Sequence, residues 1–252
     1  MARPGGAGPV DLGGSVHAAW SDASWGDLRP TGPGRGDGVP LAAFAAAAAD
    51  PMGATLDQVA WATQVHGRGV AVVPGEPSAE RTSPPTCHHI GEADALVADT
   101  PGTAVSVLTA DCAPLALASP EGIFAAVHAG WRGLVDGVVA AAVERMRDRG
   151  ATRVRGVLGP CIHAGCYEFG GADLDAVADV FGPSVRGTTS WGAPALDLVA
   201  GVRVATEAAG AQLVEVLDCC TACAGGQFSH RARGDRGRQA LVVWSTRPWE
   251  GP

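Results

Sequence analysis

The chain has 252 residues, 46% apolar and 17% charged, with a formal net charge of 18 − 26 = −8. That length can bury one large core or two small ones, and the composition excludes the disordered and fibrous classes. The acidic balance argues against a nucleic-acid backbone as the main partner, and eighteen cations without a single Lys exclude Schiff-base and Walker-type lysine chemistry.

No run of eighteen apolar residues occurs, and the amino terminus carries no basic-then-apolar pattern. The expectation is a soluble, cytoplasmic protein, monomeric or weakly dimeric, with no membrane partner. Its seven cysteines are an odd number without an export pattern. Reduced thiols or metal ligands are therefore a better reading than a disulfide framework.

In chain order, residues 1–14 and 27–40 are rich in Gly and Pro and predict a disordered terminus and a long loop. One domain is expected over 15–250. The Ala-rich stretch 41–49 predicts a short helix ended by Asp50-Pro51. Residues 74–92, polar with four prolines, read as a second loop that includes Cys87-His88-His89. Short strands follow at 95–97, 105–109, 115–118 and 123–128, with turns at Pro101-Gly102 and Ser119-Pro120-Glu121-Gly122. Apolar residues from Leu134 to Met146 then recur at helical spacing up to Gly150. Strands are expected at 154–158, 213–217 and 240–244, and helices at 174–181 and 199–209. Strands and helices interleave without regular βαβ spacing, which points to a single mixed α/β layered sandwich.

Three side chains stand at the ends of apolar runs: His66 in Gln64-Val65-His66-Gly67, Cys112 in Thr109-Ala110-Asp111-Cys112, and His128 in His128-Ala129-Gly130-Trp131-Arg132-Gly133. One Cys with two His either binds zinc, leaving a fourth position open, or forms an activated-cysteine site. Asp111 or Asp94 is a candidate carboxylate for orienting a histidine. Arg132, between a strand and the following helix, is a candidate phosphate ligand together with helix-start amides. Arg68 is a second cationic candidate, and Gln64 can share the face of His66 if the strand continues. Cys220-Thr221-Ala222-Cys223 has C-x-x-C spacing but no companion pair in the sequence.

These motifs, QVHG, ADALV, TADC followed by PL, VHAGWRG, GPCI, CYEFG and FSHR with GRQA, occur in one order over about residues 58–245. In that order they resemble the YfiH-type family, whose members are variously called laccase-domain, purine nucleoside phosphorylase or peptidoglycan-editing-factor proteins. The resemblance implies an α/β/β/α fold and makes His66, Cys112 and His128 the metal-binding or catalytic set, with zinc expected and copper as an alternative. It makes Tyr167 part of a loop bordering the pocket, able to stack a base, and marks His230 and Arg238 as ligand candidates. The implied activity is phosphorolysis of adenosine or inosine, with adenosine deamination as a further reaction. The alternatives are a cysteine- or zinc-dependent hydrolase that edits cell-wall precursors and a metal-binding protein without catalysis. Residues 19–28 depart from the family pattern, as does the FSHRARGD stretch.

Overall fold

The computed structural model describes residues 8–30, 38–75 and 84–246. Residues 1–7, residues 31–37 of the 27–40 loop, residues 76–83 of the 74–92 loop and the last part of the expected domain lie outside the described residues.

Two six-stranded mixed sheets form the centre. The first runs in the order β1 (Val10–Gly13), β2 (Val16–Trp20), β14 (Gln239–Ser245), β7 (Thr103–Thr109), β3 (Gln58–Thr63) and β5 (Thr86–Glu92). The second runs β13 (Gln212–Val216), β10 (Arg155–Leu158), β8 (Ala113–Ala118), β9 (Phe124–Ala129), β6 (Ala95–Ala98) and β4 (Val70–Val72). A small ribbon pairs β11 (Arg186–Thr188) with β12 (Pro194–Leu196).

The central strands are apolar on both faces because each sheet is covered on both sides. Along β14, Leu241 and Val243 face the space between the sheets, while Ala240, Val242 and Trp244 face outward. Helix α1 (Val39–Ala49) covers that outer face with Leu41, Phe44, Ala45, Ala48 and Ala49, the spacing of one helical stripe. In the second sheet, Leu115, Leu117, Ala125 and Val127 pack on the helical layer, whereas Ala116, Phe124 and Ala126 face the first sheet. The helices of that layer are α2 (Trp131–Asp136), α3 (Val138–Asp148), α4 (Gly171–Phe181) and α5 (Leu198–Ala208). The result is helix, sheet, sheet, helix, the expected layering. Complete burial of a side chain such as Phe124 contributes roughly 1.5–3 kcal/mol.

Three local expectations are corrected. Residues 10–13, expected to be disordered, form β1, because β2 supplies an antiparallel partner. The stretch at 86–92, expected to be loop, is the edge strand β5, paired in parallel with β3. Its polar sequence suits an edge that faces solvent. The helix expected from Leu134 to Met146 is two helices, broken at Gly137, whose φ of 89° lies in the region only glycine adopts freely. Among the described residues, no helix is long and apolar enough to cross a membrane.

Candidate metal and thiol centre

Adjacent strands of the second sheet deliver the first two groups. Pro114 lies directly opposite His128 in the β8–β9 ladder, and Cys112 is two residues before Pro114. A spacing of two keeps side chains on one face, so the Cys112 thiol and the His128 imidazole project together at the same end of the sheet. His66 comes from the loop after β3, on the other sheet, and meets His128 edge-to-face with ring centres 4.8 Å apart. The ligand atoms of His66, Cys112 and His128 all lie within 4.8 Å of one another.

Asp94 holds this arrangement. Its fully buried carboxylate accepts the main-chain N–H groups of Val65, His66 and Gly67 at 3.3, 3.0 and 2.8 Å. It also accepts His128 Nδ1 at 2.8 Å, which turns Nε2 toward the thiol. The three amides stabilise the left-handed backbone of His66, whose φ is 60°. Asp111 performs a different task. It accepts Thr221 Oγ1, Ser229 Oγ and the Arg231 N–H at 2.6, 2.7 and 2.6 Å. Those bonds hold its own φ at 94°, a conformation that costs a non-glycine residue about 1–3 kcal/mol. The strained turn sets the direction of the next residue, Cys112. Of the two candidate carboxylates, Asp94 therefore orients the histidine and Asp111 aims the cysteine.

The electrostatics favour a charged pair. Burial opposes ionisation of Cys112, but His128 and His66 outweigh it and bring the thiol down to about 6. Burial also opposes a charged His128, yet Cys112 and Asp94 raise it to about 9. Desolvation of Asp94 is likewise overcome, by His128 and the amides of Gly67 and His66, so its carboxyl stays below the ordinary range. In the metal-free protein the stable form is thiolate, imidazolium and carboxylate in a row.

Gly130 caps the centre, and no sequence signal pointed to it. A Cβ at this position would lie 2.9 Å from His66 Cδ2 and 3.2 Å from Cys112 Sγ. The missing side chain is what allows the chain to pass over the three groups.

The centre opens into a cleft of about 510 Å³, a volume typical of small-molecule sites. Gln64, Tyr167, Arg29, His230, Arg231 and Arg238 line it with the three centre residues. The Arg231 guanidinium sits 4.8 Å over the Tyr167 ring and donates to the Glu168 carbonyl. Gln64 reaches the cleft, but its amide both donates to and accepts from the Leu108 main chain at 2.8 Å, extending the sheet. Two candidates lie elsewhere. The Arg132 guanidinium stacks on its neighbour Trp131 at 4.4 Å and is not part of the cleft wall. Arg68 lines a separate groove with Glu144, Arg145 and Asp148. The cations lining the cleft come instead from Arg29, just after the stretch that departs from the family pattern, and from Arg231 and Arg238 of the carboxy-terminal loop. Sequence spacing alone cannot reveal that convergence.

The donor set fits zinc. Bonds of about 2.0–2.3 Å in tetrahedral geometry require donors roughly 3.3–3.8 Å apart, so a set within 4.8 Å closes by about 1.5 Å at most to hold the ion. Two nitrogens and one sulfur match its borderline-soft character, and the cleft gives access to a fourth position.

Residues 41–246 match the family described as multi-copper polyphenol oxidoreductase laccase. The chain is 38% identical over 243 residues to a protein of Streptomyces griseus named purine nucleoside phosphorylase, covering 92% of this chain and 95% of that protein. It is 40% identical over 200 residues to another of that name from Streptomyces coelicolor, covering 78% and 79%. Its fold resembles the crystal structure of the Bacillus licheniformis hypothetical protein YfiH, with a TM-score of 0.74, 24% identity, and 91% and 92% of the two chains covered. The match of this fold and of most of the chain's length makes it a member of the laccase-domain, YfiH-type family.

Proposed function

We propose that the chain is a purine nucleoside phosphorylase-type enzyme acting on adenosine and inosine. One observation carries this reading: a His66–Cys112–His128 centre opens into a cleft that also holds an aromatic ring and several cations. The names of the relatives supply the substrate class. Phosphate would bind against Arg231 and Arg238, whose fork-shaped guanidiniums suit its oxygens. A phosphate oxygen would attack the anomeric carbon, and the purine nitrogen would leave with the bonding pair. Tyr167, a largely buried part of the cleft wall with Arg231 over its ring, would contact the base. His66, Cys112 and His128 would hold zinc, and Asp94 would keep His128 in the tautomer that binds metal through Nε2. Bound zinc would supply a Lewis acid and a water of lowered pKa, chemistry that also suits deamination of adenosine.

The family's descriptive name does not transfer as chemistry. Multicopper oxidation needs about eight histidines around its trinuclear cluster in addition to a blue-copper site. The chain has seven in all, with no His-x-His pair. A single copper on His66, Cys112 and His128 is the alternative to zinc at that centre.

A second reading has its own support. Cys112, His128 and Asp94 stand in the order of nucleophile, base and orienting carboxylate, and the thiol is ionised near neutrality. That arrangement suits a hydrolase that attacks an acyl group of a cell-wall precursor. Purine nucleosides with phosphate and peptidoglycan precursors should be assayed side by side with the zinc-loaded and the metal-free protein. Base release by the zinc form alone supports phosphorolysis. Amino-acid release by the metal-free form replaces it with the hydrolase.

A further inference from the structure

Away from the cleft, three more thiols converge. Cys220 and Cys223 share one turn, and Cys166 ends a short 3-10 turn (Ala164–Cys166) more than fifty residues earlier in the chain. Their sulfur atoms all lie within 4.8 Å of one another. The spacing that lacked a companion in the sequence acquires its third thiol through the fold.

One of the three sulfurs, Cys220, sits among backbone amides. Cys220 Sγ accepts the His163 N–H at 3.4 Å and also receives the amides of Ala222 and Cys223. Amides at the second and third residues after a cysteine form a small nest that favours negative charge on sulfur. The backbone frame is fixed by other bonds. Cys220 forms a parallel bridge with Cys161, Thr221 N donates to the Cys161 carbonyl at 3.0 Å, and Ala224 N donates to the Cys220 carbonyl at 2.9 Å. Arg233 donates to the carbonyls of Thr221 and Ala222. Cys166 N donates to the His163 carbonyl at 2.9 Å. Cys220 is buried, Cys166 half-buried and Cys223 exposed, so a metal could enter from the Cys223 side.

We propose that Cys166, Cys220 and Cys223 form a second, thiolate zinc site that staples the 161–166 segment to the 219–224 turn. Binding would replace the three thiol protons by three Zn–S bonds and release three protons, leaving a fourth, solvent-facing position. Zn–S bonds of about 2.3 Å place sulfurs roughly 3.8 Å apart, so the cluster closes by about 1 Å at most. The staple touches the first centre through Thr221, which sits between the two cysteines of the turn and donates to Asp111, the residue before Cys112. Asp111 also holds Ser229 and the Arg231 main chain, so the same turn supports the cationic wall of the cleft.

The test is zinc per chain in the reduced full-length protein and three variants. The expected contents are about two for wild type, about one each for Cys112→Ala and Cys223→Ser, and none for the double variant. Cobalt substitution of Cys112→Ala should give intense near-ultraviolet thiolate charge-transfer bands, lost on Cys166→Ser or Cys223→Ser. If a variant aggregates, alkylation mapping of wild type decides: Cys166, Cys220 and Cys223 should be protected with zinc and modified after chelation. A reduced Cys112→Ala protein that stays metal-free in excess zinc overturns the proposal. So does equal alkylation of the three thiols with and without metal. Neither result bears on whether the first centre works on nucleosides.

Discussion

Replacing Gly130 by alanine tests whether the three-residue centre is a single object. At φ −72° and ψ 158° the backbone is in an ordinary extended region, so alanine adds no torsional strain. All the effect must come from the methyl group, which would lie 2.9 Å from His66 Cδ2 and 3.2 Å from Cys112 Sγ. Carbon atoms in comfortable contact sit about 3.5–4.0 Å apart, so the ring and the thiol must each retreat by several tenths of an ångström. The His66 side chain is exposed and gives way first, but its main chain is pinned by Asp94. A metal site tolerates displacement of about 0.5 Å at most. Changes that misorient a ligand without removing it weaken metal binding by about 10–100-fold, or roughly 1.4–2.7 kcal/mol. Competition for zinc against a chromophoric chelator measures this, with Cys223→Ser as the background so that the second thiol cluster does not contribute. Unchanged thermal unfolding with weakened zinc is the expected pair of results. Wild-type zinc affinity in Gly130→Ala would refute the view that the three side chains bind one ion beneath that glycine.

Three other outcomes follow from the same geometry. In metal-free protein the Cys112 thiol is held near 6, so its alkylation should rise through that pH and plateau well below the ordinary thiol range around 9; His128→Ala should move the rise upward. Mass spectrometry of the labelled peptide reads it, and a rise near 9 in wild type would deny the ion pair. Asp94→Asn keeps the shape but removes the charge facing His128, so zinc affinity should fall about 10–100-fold by the same competition assay. An unchanged affinity would leave Asp94 with a purely structural task. Arg231→Gln should raise the Michaelis constant for phosphate by about 10–100-fold, the worth of a charge-assisted bond, with little change in that for nucleoside. Arg132→Gln should leave both unchanged, because that guanidinium lies on Trp131 outside the cleft; the opposite ranking would return the phosphate site to Arg132.

The parts of this molecule that could be read from sequence are those in which local pattern and burial agree. Strands β8 and β9 are nearly continuous apolar runs because both of their faces are covered, and Cys112 and His128 sit at their ends, as His66 does just beyond β3. Strand β5 was hidden because Thr86-Cys87-His88-His89 is polar, and only its pairing with β3 makes it a strand. The break at Gly137 was hidden because the apolar spacing continues across it. Cys112 and His128 could be singled out as a thiol and an imidazole at the ends of neighbouring apolar runs, but the Pro114–His128 pair that sets them on one face appears only in the fold. No spacing rule told Asp94 from Asp111, since their partners lie some thirty and more than one hundred residues away. The Arg231 wall, the Gly130 gap and the meeting of Cys166 with Cys220 and Cys223 are likewise products of long-range packing.

The central claim is that the His66–Cys112–His128 centre serves phosphorolysis of purine nucleosides. Its most direct test is chromatographic measurement of ribose 1-phosphate and free base from inosine and adenosine as phosphate is varied, in wild type and in Cys112→Ala. Equal amounts of the two products, saturating in phosphate and abolished in the folded Cys112→Ala protein, are the predicted result. Absence of ribose 1-phosphate from every purine nucleoside tried, with folded and zinc-loaded protein, would contradict it.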